Sequence, residues 1–412
     1  MNGNYSWHLL ITLSVPVYET ESVLPELLDS LAGQTLFTDG KAGGAAAPFE
    51  LLLVNDGSPD GALLPKIIKP YKKILASSGG SVRILEHRKN LGLVEARRTA
   101  CLHASGTYTV FADSDDSLPP DSLALLIKAA LASGADIVHG KAEYKTDFAF
   151  HSTEAEAGYT AEKLALMDAK IKNVHPGILT GIEILEDFLL KGGHSSFLCG
   201  KLFRTELLRN AFKDIPHTFC TMAEDLLIYF FILLHAAGVC SCSGGGADGS
   251  DSTGSTDNSG AGSTGGTDCP EVSAGSEDRD GSENSVRGTS GSSGKPDGAG
   301  NAGITAGSRY YGTEDIVYTY CLGRGISSNR EITSLDQWER ACSAASVFTI
   351  IFSHLEEHPL TVPNAEKILV SLKDLCRSHM KMNLNHLQRV SPSLQPEAKK
   401  ILCEYWGEGT DC

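Results

Sequence analysis

No apolar run in this 412-residue chain reaches the roughly 20 residues that a membrane-spanning helix requires. The longest, residues 226–239, is interrupted by His235 and reads as a buried helix. The start, Met1-Asn-Gly-Asn-Tyr5, lacks the basic opening and cleavage site of a secretory signal. The eleven cysteines are scattered, and Cys240 and Cys242 stand too close for a zinc knuckle. Reduced, inert cysteines in a cytoplasmic chain are expected. A Gly-x-Gly-x-x-Gly turn is missing after the first strand candidate, where Pro16-Val17-Tyr18-Glu19 stands; that excludes a dinucleotide oxidoreductase. Lys and Arg total 35 against 51 Asp and Glu, a net charge of −16, and no nucleic-acid partner is expected.

Four short apolar runs bounded by turn residues read as strands: Leu9–Val15, Phe49–Val54, Val82–Glu86 and Tyr108–Ala112. Val23, Leu24, Leu27, Leu28 and Leu31 recur at helical spacing between the first two, and Leu93–His103 reads as a helix before the fourth. Strand alternating with helix predicts an α/β fold, an open and mostly parallel sheet flanked by helices. Ligands of such sheets gather at the carboxyl ends of the strands. Polar residues stand at those ends: Pro16 to Glu19, Asn55-Asp56-Gly57-Ser58, and Asp113-Ser114-Asp115-Asp116. Two acids at i and i+2 on a strand tip form a hard-oxygen site suited to Mg²⁺ or Mn²⁺ with open positions for phosphate oxygens.

Five ordered elements carry a resemblance to the family 2 glycosyltransferases. They are Ser14-Val15-Pro16-Val17-Tyr18-Glu19, Val54-Asn55-Asp56-Gly57-Ser58-Pro59-Asp60, Asn90-Leu91-Gly92 through Arg97, the Asp113–Asp116 cluster, and Glu224-Asp225. The resemblance covers about the first 240 residues and implies a GT-A fold that binds a nucleotide sugar. It departs from the family at Asn55, where an acid is common, and at Arg98, where Asn is frequent. Gly200 replaces Asn in the segment Cys199-Gly200-Lys201-Leu202-Phe203-Arg204.

The resemblance implies that Pro16, Tyr18 and Glu19 line the nucleoside pocket, and that Asp56 accepts a hydrogen bond from the base. Asp56 before Gly57 also suits a plain turn. Arg97 would face the nucleotide, although a surface arginine has the same sequence signature. Asp113 would lie near the ribose and donor sugar and help bind metal, Asp115 would be the direct metal ligand, and Asp116 a loop or capping carboxylate. Asp225 would be the general base of an inverting transfer, with Glu224 in support; both also suit a helix N-terminus. Arg324, between two glycines, would reach the diphosphate or stand as an exposed loop arginine.

The expected reaction moves a sugar, from a UDP-sugar, to a hydroxyl of a glycan or lipid-linked acceptor in cell-surface polysaccharide biosynthesis. The alternative is a catalytically decayed nucleotide-sugar-binding or scaffold protein of the same fold. A lipid-linked acceptor would bring the chain peripherally to the inner face of a membrane. Processive polysaccharide synthases normally add membrane helices and a Gln-x-x-Arg-Trp motif, both missing here.

Residues 243–308 hold ten acids against three bases and no Phe, Trp, Tyr, Leu or Met, so a disordered insertion is expected there. The domain reading is then a catalytic unit over 1–242, its return over 309–330 after the insertion, and a helical region over 331–412. In that region Trp338–His354, Ala365–Met380 and Pro396–Trp406 carry helical spacing.

Overall fold

The computed structural model describes residues 11–38, 49–77, 79–146, 160–239, 273–274, 307–323 and 331–407. Four strands, β1 (Ile11–Val17), β2 (Phe49–Asn55), β3 (Ser81–Glu86) and β4 (Tyr108–Phe111), pair in parallel in the order β3-β2-β1-β4. Helices follow them: α1 (Leu24–Ala32) with the short α2 (Thr35–Thr38), α3 (Leu64–Ser77), α4 (Leu93–His103) and α5 (Ser122–Ser133). β1 and β2 are buried along their whole length, hence their unbroken apolar character. α1 buries Leu24, Leu27, Leu28 and Leu31, the stripe its spacing implies.

β1 runs to Val17, two residues beyond the end the sequence reading gave it, so Pro16 and Val17 lie inside the strand rather than after it, while Leu9 and Leu10 lie outside the described residues. Pro16 is tolerated because its nitrogen faces the β4 side, where pairing has already ended at Ser14 with Phe111. The β2 side keeps its bond from Asp56 N–H to Val17 O.

The chain continues through β5 (Ile137–Thr146), α6 (Ala161–Ile171), β6 (Gly177–Thr180), α7 (Ile182–Glu186), β7 (Lys201–Arg204), α8 (Thr205–Asp214) and α9 (Glu224–Ala236). β8 (Ser273–Ala274) pairs antiparallel with β3, and β9 (Arg309–Leu322) lies between β5 and β6. β7 runs antiparallel between β4 and β5, completing nine strands among the described residues. α9 is apolar on every side and buried from Leu226 to Leu234, as a helix without a polar face must be.

Of the expected insertion, only 273–274 and 307–308 are described; the rest, like the smaller Gly/Ala-rich stretch 39–48, lies outside the described residues. Ser308 is buried, and its N–H donates to Ala236 O at 2.9 Å. The chain therefore leaves α9 and rejoins the sheet at one point, a closure whose entropy grows only logarithmically with loop length.

The carboxyl-terminal region is helical: α10 (Leu335–Cys342), α11 (Ala344–Glu357), α12 (Ala365–His386) and α13 (Gln395–Trp406). The single helix expected over Trp338–His354 is two, with an elbow at Ser343, whose hydroxyl donates to Arg340 O at 2.6 Å. Val347, Phe348 and Ile351 of α11 and Ile368 and Leu372 of α12 join the main core. Trp338, Ala398, Ile401 and Leu402 form a smaller one, with the Trp338 indole N–H on Ala398 O at 2.7 Å.

Candidate active site

The carboxyl ends of β1, β2 and β4 present three loops that are hydrogen-bonded to one another. Glu19 N–H donates to Ser58 Oγ at 3.0 Å, and the Thr20 and Ser114 hydroxyls share a bond of 2.6 Å. Glu19 takes a φ of 55°, a left-handed conformation uncommon for a residue with a side chain. Tyr18 beside it is half-buried.

Asp56 is 3% exposed, and three protein donors converge on its carboxylate. His87 Nδ1 lies 2.7 Å from Oδ1, Leu91 N–H donates to Oδ1 at 2.9 Å, and Gly92 N–H donates to Oδ2 at 2.9 Å. Asp56 thus ties the β2 tip to the loop that opens α4, using three of the roughly four acceptor positions a carboxylate offers. His87 turns its other nitrogen to Thr99 Oγ1 at 2.9 Å. Sequence reasoning missed His87; its place one residue past β3 was the available signal.

The aspartates after β4 separate by environment. Asp113 N–H donates to the Tyr318 hydroxyl at 2.9 Å, and that hydroxyl donates to Asp116 Oδ2 at 2.8 Å. Cys321 N–H donates to Asp116 Oδ1 at 2.7 Å. Asp116 is buried and joins β4 to β9; burial, then the charges of Asp115 and Asp113, push its carboxyl well above the usual range. Asp113 and Asp115 stay half-buried.

Arg97 joins the two halves of the site. Its side chain is 1% exposed, with Nη1 2.5 Å from Asp225 Oδ1, Nη2 3.1 Å from Asp113 Oδ1, and Nη1 3.9 Å from Glu224 Oε1. The guanidinium also lies 5.7 Å from the centroid of the Phe111 ring. It is not a surface arginine: its ion pairs are to protein carboxylates. Burial alone would lower its pKa, but Asp225 and Asp113 hold it well above the ordinary value.

Burial raises the Asp225 carboxyl, with Arg97 opposing. Burial and then the Asp225 charge raise Glu224 to about 7. Leu198 N–H approaches Asp225 Oδ2 at 3.4 Å. The Leu198 segment is itself held by Lys201, fully buried, whose Nζ donates to Ser195 O at 2.9 Å and to Phe197 O. Burial pushes the Lys201 ammonium down to about 7. Gly200 before it takes a φ of 78°, a left-handed conformation that Gly and Asn adopt more readily than other residues, which accounts for Gly where the resemblance would give Asn.

Arg324 lies outside the described residues. No group of three or more His, Cys, Asp or Glu residues that could hold a metal ion occurs among the described residues. Asp113 and Asp115 nevertheless supply the donor type Mg²⁺ and Mn²⁺ take, one or two carboxylates completed by substrate phosphates and water. The pair fits such an ion together with a phosphorylated substrate.

Residues 12–183 match the sequence model of the family described as Glycosyl transferase family 2. Over 129 residues the chain is 34% identical to the uncharacterized glycosyltransferase EpsJ of Bacillus subtilis (strain 168), covering 31% of this chain and 33% of that protein. It is 22% identical over 240 residues to the UDP-Glc:alpha-D-GlcNAc-diphosphoundecaprenol beta-1,3-glucosyltransferase WfgD of Escherichia coli, covering 52% of this chain and 86% of the relative. The chain spans a third or less of the length of several other curated relatives, 16% and 19% in two cases. Among solved structures, S. aureus TarS 1–349 in complex with UDP-GlcNAc superposes with a TM-score of 0.51 at 18% identity, covering 96% of this chain and 80% of that one. The fold is shared with that protein.

Proposed function

We propose, from the match of residues 12–183 to the Glycosyl transferase family 2 model, that the chain is a transferase of that family and moves a sugar with inversion from a UDP-sugar to a hydroxyl of a glycan or lipid-linked acceptor. One observation carries the reading. A single buried guanidinium, Arg97, bridges the donor-side Asp113 and the helix-opening Asp225, so strand tip and acid pair form one site. Asp225 is the base: its raised carboxyl accepts the acceptor's proton near neutral pH as the oxygen attacks the anomeric carbon. Arg97 orients that carboxylate and favours its ionised form. Asp113 and Asp115 would hold Mg²⁺ or Mn²⁺, whose Lewis acidity neutralises the leaving nucleoside diphosphate. Asp56, with Pro16, Tyr18 and Glu19 beside it, accepts from the base through its remaining lone pair.

The names of two similar proteins, one a UDP-Glc-dependent transferase and one bound to UDP-GlcNAc, support a uridine donor. No helix among the described residues is long and apolar enough to cross a membrane. Calorimetric titration with UDP, GDP and CDP, each with and without Mn²⁺, tests the reading. UDP binding that requires Mn²⁺ and weakens at least about tenfold in Asp115→Ala supports it; absence of binding to every nucleotide sinks it. Mn²⁺-dependent binding with no transfer from any UDP-sugar leaves the decayed binding protein.

A further inference from the structure

The segment leading into Glu224 is held from two directions. On one side α4 clamps it. Arg98 donates from Nη2 to Ile215 O at 2.9 Å and Pro216 O at 3.1 Å, and from Nη1 to Phe212 O. Glu95, paired with Arg98 at 3.0 Å, accepts Thr218 N–H at 3.2 Å and lies 2.8 Å from His217 Nδ1. Both clamp residues are buried, and Arg98 stands where the family often has Asn.

On the other side the carboxyl-terminal region reaches in. Thr221 N–H donates to Ser343 Oγ at 3.3 Å, and the Thr221 hydroxyl donates to Arg340 O at 3.2 Å. Cys220, fully buried between the two anchors, places its thiol 3.8 Å from Ser343 O. Ala223 follows with φ 60° and ψ 20°, a left-handed conformation for a residue with a Cβ. Such a backbone persists only where its surroundings over-determine it. The next two residues are Glu224 and Asp225.

We infer that the elbow between α10 and α11, through Ser343 and Arg340, is a positioning element for the Glu224–Asp225 pair, acting with the Glu95–Arg98 clamp on the segment 212–223. α9 is a continuous buried helix. The direction of its first turn therefore depends on how the chain enters it, and Ala223 is that point of entry. A base displaced by about an ångström loses much of its rate, because transfer needs the reacting atoms aligned. The carboxyl-terminal helices, on this inference, complete the catalytic site rather than merely cover the sheet. The inference rests on Asp225 being the base.

Ser343→Ala in the full chain removes the acceptor for Thr221 N–H and leaves the packing of Trp338, Val347 and Ile351 in place. UDP with Mn²⁺ counts the donor sites by titration. UDP release from UDP-glucose or UDP-GlcNAc is then reported per site, and hydrogen–deuterium exchange is followed across 216–223. Turnover per site should fall about fivefold, the scale of one lost hydrogen bond. UDP affinity should stay within about twofold, and exchange should quicken in 216–223 while α9 stays protected. Arg98→Asn, which releases the opposite anchor, should lower turnover per site further. A purely structural role would reduce the number of donor sites and the melting temperature with turnover per site unchanged; that result overturns the inference. Unchanged turnover and exchange in both variants, with Asp225→Asn inactive, overturns it while the base assignment stands. An active Asp225→Asn removes the base assignment and the inference with it.

Discussion

The rim of strand tips and the acid pair meet at Arg97 but are built in different ways. The rim is made of strand ends that neighbour one another in one parallel sheet. Once β1, β2 and β4 pair, Asp56, Asp113 and Asp115 have little choice of position, and short bonds such as Thr20 to Ser114 finish the job. The acid pair has no such ladder. Asp225 is aligned by Arg97, 128 residues away in sequence, by Leu198 N–H, and by a lead-in segment anchored at Glu95, Arg98 and Ser343. A site half set by sheet register and half by side-chain joints should fail differently when each half is cut.

The sharpest cut is Asp225→Asn. The amide cannot take the acceptor's proton, so transfer should drop by about 10³-fold, within the range general-base catalysis supplies. Nucleotide titration should change by less than about twofold, and equal losses of binding and transfer would mean the base is misassigned. Next is Arg97→Ala, which leaves Asp113 and Asp225 facing each other without their shared cation. Stability to denaturant should fall by about 3 kcal/mol, the scale of a broken buried ion pair; a loss below about 1 kcal/mol would show the joint is not needed to hold the halves together.

Asp115→Ala confines the damage to the rim: Mn²⁺-dependent UDP affinity should weaken about 10- to 100-fold with the melting temperature nearly unchanged. The pH profile then compares the halves in one protein. Burial raises both acids of the pair, so the acid limb of kcat/KM, set by Asp225, should lie above the ordinary carboxylate range rather than near pH 4. The sign for stability is opposite. A carboxyl raised on folding favours the folded state below its unfolded value, and that contribution is lost as pH rises through about 7 for Glu224. An acid limb near pH 4 would show that the pair is solvated. The smallest effect belongs to Asp116→Asn, which can still accept Cys321 N–H but no longer accepts from the Tyr318 hydroxyl as well. About 1 kcal/mol of stability should go, with UDP affinity per site intact. Adjacent aspartates would then have been separated into a ligand and a tie.

Parts of this were legible in the sequence and parts were not. α4 was read to the residue, from Leu93 to His103, because Gly92 takes a φ of 90° at its start and Ala104 turns extended at its end. The end of β1 was misread because a proline argues against a central strand, and only the end of the β4 ladder makes Pro16 harmless. The elbow at Ser343 was invisible because apolar spacing continues across it, from Trp338 and Cys342 to Val347 and Ile351. Lys201 and His87 were passed over because a lone cation or imidazole carries no periodicity.

The sequence by itself determined the alternation of strand and helix and the acidic residues at the strand tips, since apolar spacing and turn chemistry act between neighbours along the chain. Only the tertiary structure decided which aspartate is tied up, that Arg97 spans Asp113 and Asp225, and that burial raises both acids of the pair above the ordinary carboxylate range. Those properties depend on distances through space and on the removal of water. Both arise only when β4, α4, α9 and the carboxyl-terminal elbow have packed together.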